Sequence, residues 1–186
     1  AITGTNGKTT TTALTGEILK SYFEDAKVVG NIGIPYTSLA LQMTDQTVTA
    51  AEISSFQLET IDTFCPDVSA ILNITPDHLN RHHTLECYTA VKESITKNQK
   101  PGQVCVLNYE DELLRTFGKT IDHYLKVIYF SSKRKLERGL YLDEKSIFLS
   151  DENGIQKIAD TCELNLLGTH NYENVMAAIA ITRALG

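Results

Sequence analysis

The run Gly4-Thr5-Asn6-Gly7-Lys8-Thr9 constrains this chain more than any other feature of its sequence. It follows three residues of strand character, Ala1-Ile2-Thr3. It opens a stretch in which Leu14, Ile18, Leu19, Tyr22 and Phe23 recur as an apolar face at helical spacing. Glycines let the backbone turn so tightly that successive N–H groups face one point, and the following helix adds the positive end of its dipole. A strand, loop and helix joined in this way cradle phosphate. Lys8 would reach the β- and γ-phosphates of a nucleotide, and the Thr9 hydroxyl would ligate Mg²⁺. The strict form of the pattern has a further glycine five residues before Gly7, where Ile2 stands. A glycine turn capping an ordinary helix has no need of Gly-Lys-Thr at this junction, so the loop is read as a nucleotide site.

Such a loop calls for a sheet, and the following segments supply one. Residues 28–29, 48–53, 68–74 and 104–107 are apolar, partly β-branched runs that read as strands. Thr84 caps a helix with Leu85, Tyr88, Val91 and Ile95 on one face, and Pro101-Gly102 ends it. Strands alternating with helices predict an α/β fold, a mostly parallel P-loop NTPase-like sheet flanked by helices. From about Leu140 the pattern changes to short runs at 141–142, 147–149 and 155–158, with Asn153-Gly154 as a hairpin signal. These predict a small antiparallel β insertion. A last helix from about Asn171 carries Val175, Ala178, Ile179 and Leu185.

Composition narrows the function classes. A length of 186 residues is one domain with a sizeable core, and 42% hydrophobic with 22% charged residues excludes bulk disorder and fibres. A net charge of −6 argues against a broad nucleic-acid surface, though not against one locally positive loop. No apolar run approaches the ~20 residues of a membrane span, and no secretory signal is present. Cys65, Cys87, Cys105 and Cys162 lack any C-x-x-C pairing and read as reduced, mostly core thiols of a cytosolic protein. The chain opens without methionine on a clipped strand and closes on Leu185-Gly186 at a helix end, as expected of a domain taken from a longer polypeptide.

Three further features carry chemistry. Glu52 ends a strand, where a carboxylate beside a phosphate loop holds Mg²⁺ directly or through water; without the loop it would be an ordinary solvated glutamate. In Asp77-His78-Leu79-Asn80-Arg81-His82-His83 the pair His78 and His82 raises a zinc reading. Leu79 stands where a zincin would need Glu, and no third ligand has suitable spacing. His78 is instead read as a strand-end residue near the phosphates, able to contact a metal or an acyl group. Lys92 follows Val91 on the next helix, and spacing alone makes it a snorkelling surface lysine.

Taken together these segments resemble the Mur ligase family. Gly4 to Thr9 is similar to the family's Gly-Thr-Asn-Gly-Lys-Thr loop, which also lacks the earlier glycine. Asn31-Ile32-Gly33 resembles its Gly-Asn-Ile-Gly segment. Asn73-Ile74-Thr75-Pro76-Asp77-His78-Leu79-Asn80-Arg81-His82 resembles its Asp-His-Leu-Asp-Arg block, and Leu167-Gly168-Thr169-His170-Asn171 with Asn174 resembles the start of its last central-domain helix. The run Glu52-Ile53-Ser54-Ser55-Phe56-Gln57-Leu58-Glu59 is similar to the branch that adds D-glutamate; the branch adding diaminopimelate or lysine usually has His where Phe56 stands. The likeness covers nearly all of residues 1–186, as the central ATP-binding domain. The N-terminal domain that holds the uridine nucleotide and the C-terminal domain that receives the amino acid lie outside it.

The resemblance implies roles by position. Gly4, Thr5, Asn6, Gly7, Lys8, Thr9 and Thr10 bind the ATP triphosphate; Thr9 and Glu52 hold one Mg²⁺, and His78 helps hold a second near the acyl group. Lys92 matches the lysine that becomes carbamylated and supports metal binding, against the surface reading above. Lys8, His78 and Lys92 are thus the catalytic set. Asn31, Ser54 and His78 face the muramoyl-alanine substrate, while His170, Asn171 and Asn174 border the adenine. The implied reaction is ADP-forming addition of D-glutamate to UDP-N-acetylmuramoyl-L-alanine through an acyl phosphate, by a monomer in the bacterial cytoplasm. Three departures stand out. Asn80 replaces an Asp, Leu167 replaces a Pro and is expected to loosen the turn near the adenine, and the loop from His78 to Lys92 is slightly short. Another Mur ligase or a folylpolyglutamate synthase, a nucleotide-binding regulatory module, and a fragment that binds little without its neighbours are the competing readings.

Overall fold

Parallel pairing begins at the phosphate loop and spreads to both sides of it. The computed structural model describes residues 1–166 and 168–185. Leu167 and Gly186, and with them the expectation about the turn before Gly168, lie outside the described residues. Strands β1 (Ile2–Thr3), β2 (Ala26–Gly30), β3 (Val48–Glu52), β4 (Val68–Ile71), β5 (Val104–Asn108) and β6 (Lys126–Ser131) run parallel. Strands β7 (Gly139–Asp143), β8 (Ser146–Asp151) and β9 (Gly154–Asp160) continue the same sheet, in the order β2-β3-β1-β4-β5-β6-β7-β8-β9. The antiparallel part is therefore no separate flap. β7 joins β6 in parallel through Phe130↔Leu140 and Ser131↔Tyr141, and β8 and β9 add to it as a meander.

The central strands bury both faces, as parallel strands do. Val68, Ala70, Val104, Val106 and Phe130 pack on one side with Val175, Met176, Ala177, Ala180 and Ile181 of helix α7 (Thr169–Arg183). Ile71, Cys105 and Leu107 pack on the other with Tyr88 of helix α5 (Leu85–Glu93) and Leu114 and Ile121 of helix α6 (Glu112–Ile121). Each such aliphatic side chain removed from water contributes roughly 1.5–3 kcal/mol. Among the thiols only Cys105 is buried, and burial pushes it up to about 12; Cys65 is half-buried and Cys87 and Cys162 are exposed, so most are not core groups.

Helix α1 (Lys8–Tyr22) corrects the apolar-stripe reading. Its buried face is Thr11, Thr12, Thr15, Gly16 and Leu19, and Tyr22 is 80% exposed. The reason is close approach, since a Cβ on Gly16 would stand 2.1 Å from Val28 Cγ2 of β2. Small side chains bring α1 down on the sheet, and α7 packs alongside it. Helix α6 and strand β6 extend the alternation beyond β5. Asp111 caps α6 by accepting from the Leu113 and Leu114 amides, and its other oxygen accepts from Ile74 N at 2.7 Å. Short helices α2 (Tyr36–Leu39), α3 (Ser55–Leu58) and α4 (Leu79–His82) complete the chain. α3 follows the end of β3, and α4 and α5 follow β4. The C-terminal ends of the parallel strands, where such sheets bind ligands, thus carry the predicted site segments other than the start of α7, which follows antiparallel β9.

Candidate functional site

Gly7 makes the turn into α1 in the left-handed region, φ 83°, and a Cβ there would lie 2.3 Å from Asn174 Oδ1. Among the described residues no side chain caps the helix, and the Thr11 amide already bonds the Gly7 carbonyl at 2.9 Å. The amides ahead of Thr11 point out of the helix end, where an anion is favoured. The loop is pinned from the β4 side. Thr5 N donates to Asn73 O at 2.9 Å, Asn6 N to Asn73 Oδ1 at 2.8 Å, and Asn73 Nδ2 returns a bond to Asn6 O at 3.1 Å. Thr5 Oγ1 donates to Thr75 O and accepts from Thr75 N. Leu72 N still bonds Thr3 O of β1, and from Asn73 onward the chain binds the loop.

Two ammonium groups converge on one carbonyl. Lys8 Nζ donates to Gly4 O and Thr5 O, both at 3.0 Å, and Lys92 Nζ donates to Gly4 O at 2.9 Å and to Thr3 Oγ1 at 3.4 Å. Lys92 is 1% exposed and lies 4.7 Å over the Tyr88 ring, so the surface reading from spacing is wrong for it. Burial, and then the charge of Lys8, lower its pKa to about 7. The pair is held together without a carboxylate bonded to either amine among the described contacts. Such a site favours an anion that both cations can share.

Glu52 supplies the opposite charge nearby. It ends β3 in register with Ile2 of β1 and is 2% exposed. Oε1 accepts from Asn31 Nδ2 at 3.1 Å, while Oε2 is buried with no hydrogen-bond partner among the described residues. A buried carboxylate oxygen left bare costs free energy that a cation would recover. The residues present therefore fit a divalent ion. Among the described residues no three His, Cys, Asp or Glu side chains converge, so such an ion would draw its other oxygens from a hydroxyl, water and phosphate, as Mg²⁺ does. The β2 end is equally tight: Gly30 has φ 119°, and a Cβ there would meet the Glu52 carbonyl oxygen at 2.1 Å. Gly30→Ala is expected to cost roughly 2–5 kcal/mol, read as a fall in the thermal midpoint, because backbone must shift.

The remaining predicted residues separate into rim and brace. His78 caps α4 in the left-handed region at φ 50°, half-exposed, with Nε2 3.5 Å from Asp77 Oδ2 and its ring 5.0 Å from Phe56. Ser54 caps α3 in a reciprocal box with Gln57, so its hydroxyl also serves that helix. Asn31 is bound to Glu52, and Asn80 is exposed on α4. At the start of α7, His170 is exposed. Asn174 lies buried beneath the loop, accepting from Thr11 Oγ1 at 3.2 Å and donating to Asn171 Oδ1 at 3.4 Å. Contacts thus unite the loop with Lys92 and Asn174, and β1–β3 pairing sets Glu52 beside it, while His78, Ser54 and His170 stand at the margins. Asn73, Thr11 and Tyr88 also belong to the site. Only Asn73, at a strand end facing a glycine loop, offered a signal in the sequence.

A family model described as the Mur ligase middle domain matches residues 2–182. The UDP-N-acetylmuramoylalanine–D-glutamate ligase of Lachnoclostridium phytofermentans is 57% identical over 185 residues, 100% of this chain and 40% of that protein. The ligase of the same name from Lachnospira eligens is 54% identical over 186 residues, 100% of this chain and 41% of its own length. The chain thus spans about 40% of the length of these curated relatives. Among solved structures, MurF ligase from Thermotoga maritima in complex with ADP superposes with a TM-score of 0.67 at 22% identity, over 100% of this chain and 44% of that one, a likeness of fold.

Proposed function

Because the chain belongs to the Mur ligase family as a middle domain, we propose that it is the ATP-binding and phosphoryl-transfer part of an ADP-forming ligase. The parent would join D-glutamate to UDP-N-acetylmuramoyl-L-alanine in bacterial peptidoglycan synthesis, as a cytoplasmic monomer. The observation that carries this reading is the convergence of Lys8 and Lys92 on the Gly4 carbonyl, beside a buried and half-unpartnered Glu52. Two cations and a bare carboxylate around a glycine loop suit a triphosphate and its metal better than any neutral ligand. Relatives of that name at 54% and 57% identity across the whole chain support the choice of amino acid. The rest of the parent's length would hold the uridine-nucleotide and amino-acid domains, whose closure completes the site.

In this reading the alanyl carboxylate attacks the γ-phosphorus and ADP leaves. The amine of D-glutamate then attacks the acyl carbon of the acyl phosphate and displaces phosphate through a tetrahedral intermediate. Phosphoryl transfer asks for alignment and charge neutralisation more than for covalent help. The leading amides of α1 and Lys8 would grip the β- and γ-phosphates, while Asn73 and Asn174 keep the loop rigid. Thr9 and Glu52 would hold one Mg²⁺ and His78 would face a second. Bound Mg²⁺ supplies charge neutralisation between two anions that repel. His170 and Asn171 would border the adenine, and Asn31 and Ser54 the muramoyl-alanine end. Lys92, held at about 7, is largely unprotonated in mild base, the form that takes up CO₂ to give a carbamate. Its present partner is a carbonyl, to which the carbamate nitrogen would still donate through its remaining N–H while the new oxygens turn elsewhere.

The test is ADP release and amide product from the full-length protein that contains this sequence. Both are expected only with UDP-N-acetylmuramoyl-L-alanine and D-glutamate together. Product with lysine or diaminopimelate, and none with D-glutamate, would overturn the assignment. The 186-residue chain by itself is expected to bind Mg·ATP and to form no amide; product from it alone would remove the need for the other domains.

A further inference from the structure

One polar cluster beside the site has no part in the chemistry above. His82, the last residue of α4, is 4% exposed. Its Nδ1 lies 3.3 Å from Glu59 Oε1 and its Nε2 lies 3.0 Å from Ser55 Oγ. Arg81 donates to both Glu59 oxygens through Nε at 3.2 Å and to Oε2 through Nη2 at 2.5 Å, and this bonding holds the Glu59 carboxyl below its usual pKa. A carboxylate only accepts, so the tautomer that suits Glu59 has its proton on Nδ1 and leaves Nε2 to accept from the Ser55 hydroxyl. Serine, histidine and glutamate in this order form the constellation of nucleophilic hydrolases. Ser55 is 3% exposed, however, and that burial closes it to a substrate carbonyl. The hydroxyl is anchored there, with nothing to attack.

What is anchored matters to the site. Ser55 is the first residue of α3, three positions after Glu52. The other edge of His82 meets Tyr88 at 5.1 Å between ring centroids, and its face stacks on Phe56 at 5.8 Å and 9°. Tyr88 in turn places its hydroxyl 3.3 Å from Thr5 Oγ1 in the loop and its ring beneath Lys92. His82 therefore touches both the segment leaving Glu52 and the helix that carries Lys92.

We propose that His82, oriented by Glu59, is a positioning residue that fixes the first turn of α3 through Ser55. It thereby sets Glu52 against the phosphate loop and Lys92. The inference rests on the ligase reading for its kinetic test but not for its structural one. In the full-length protein, His82→Phe keeps the ring and its stacking but loses the hydrogen bond to Ser55 and the contact with Glu59, whereas His82→Gln returns an amide to the Nε2 position. The Phe variant is expected to lower kcat for ADP release by about tenfold or more while KM for ATP moves less than about threefold, since misplacing a reacting group slows chemistry more than binding. Amide exchange at residues 55–58 should quicken in the same variant, and Gln should restore most of both. Ser55→Ala, a smaller change, should lower kcat alike should the Phe variant fail to fold. Wild-type kcat and exchange in His82→Phe or in Ser55→Ala would overturn the proposal, as would equal losses in Phe and Gln. A wild-type protein that releases no ADP with the two named substrates would sink the ligase reading, while the exchange experiment still decides the anchoring.

Discussion

Lys8→Ala is expected to weaken Mg·ATP binding to this chain by about a hundredfold or more. A charge-assisted hydrogen bond contributes roughly 1.5–3 kcal/mol, and Lys8 would make more than one to the triphosphate. In the structure its ammonium is folded back on Gly4 O and Thr5 O at 3.0 Å each, so the loop holds it at the site without a ligand. Binding then exchanges two carbonyl acceptors for phosphate oxygens at little cost in side-chain order. The loss cannot be total in charge, because Lys92 stays at the Gly4 carbonyl. Removing Lys8 also removes one of the two influences that lower the Lys92 pKa, so the remaining amine becomes more fully charged. Stability should change little or rise, since two like charges no longer crowd one oxygen. Titration calorimetry reads the result. An affinity within about threefold of the unaltered chain would refute the assignment of the loop.

How much of this was legible in the sequence differs from residue to residue, for physical reasons. The loop was legible because its chemistry is local: Gly7, Lys8 and Thr9 need only the helix that they begin. Glu52 was legible through its neighbour, since a parallel sheet brings strand ends together whatever their separation. Lys92 was opaque to spacing. Its position beside Val91 resembles any surface lysine, and its burial arises when a loop 88 residues away closes over it. The buried face of α1 departs from the apolar stripe because that pattern assumes room for large side chains, and Gly16 against Val28 leaves none. Helix α6 carries a capping Asp111 and Leu114, Phe117 and Ile121 at helical spacing, so its signal is present in the sequence. The Ser55, Glu59 and His82 cluster is legible only in space, because 27 residues separate its hydrogen-bonded ends.

Lys92→Met should act in opposite directions on stability and turnover. A lysine ordinarily near 10.5 is held at about 7 here, by burial first and Lys8 second. As pH falls from 10.5, the unfolded chain takes up the proton while the folded chain does not until about 7. Across that window stability is lost as pH falls, by on the order of 4–5 kcal/mol, and below it the cost stays constant. Methionine keeps the unbranched stem against Tyr88 and removes the ammonium. It also removes the bond to Gly4 O, which Lys8 still donates to, and the contact with the Tyr88 ring. The net expectation at pH 7 is a gain of about 1–3 kcal/mol, with the pH slope between 7 and 10.5 flattened. Turnover should move the other way. In the proposed ligase the variant keeps Lys8 but lacks the second cation at the Gly4 carbonyl and the amine that would form a carbamate, and ADP release by the full-length protein should fall about a hundredfold or more. Thermal unfolding in CO₂-free buffer without Mg²⁺, run from pH 7 to 10, tests the first half. A lowered midpoint at pH 7, or an unaltered pH slope, would show that Lys92 is a structural cation whose bonds outweigh its burial. ADP release within about threefold of the unaltered protein would remove Lys92 from the chemistry.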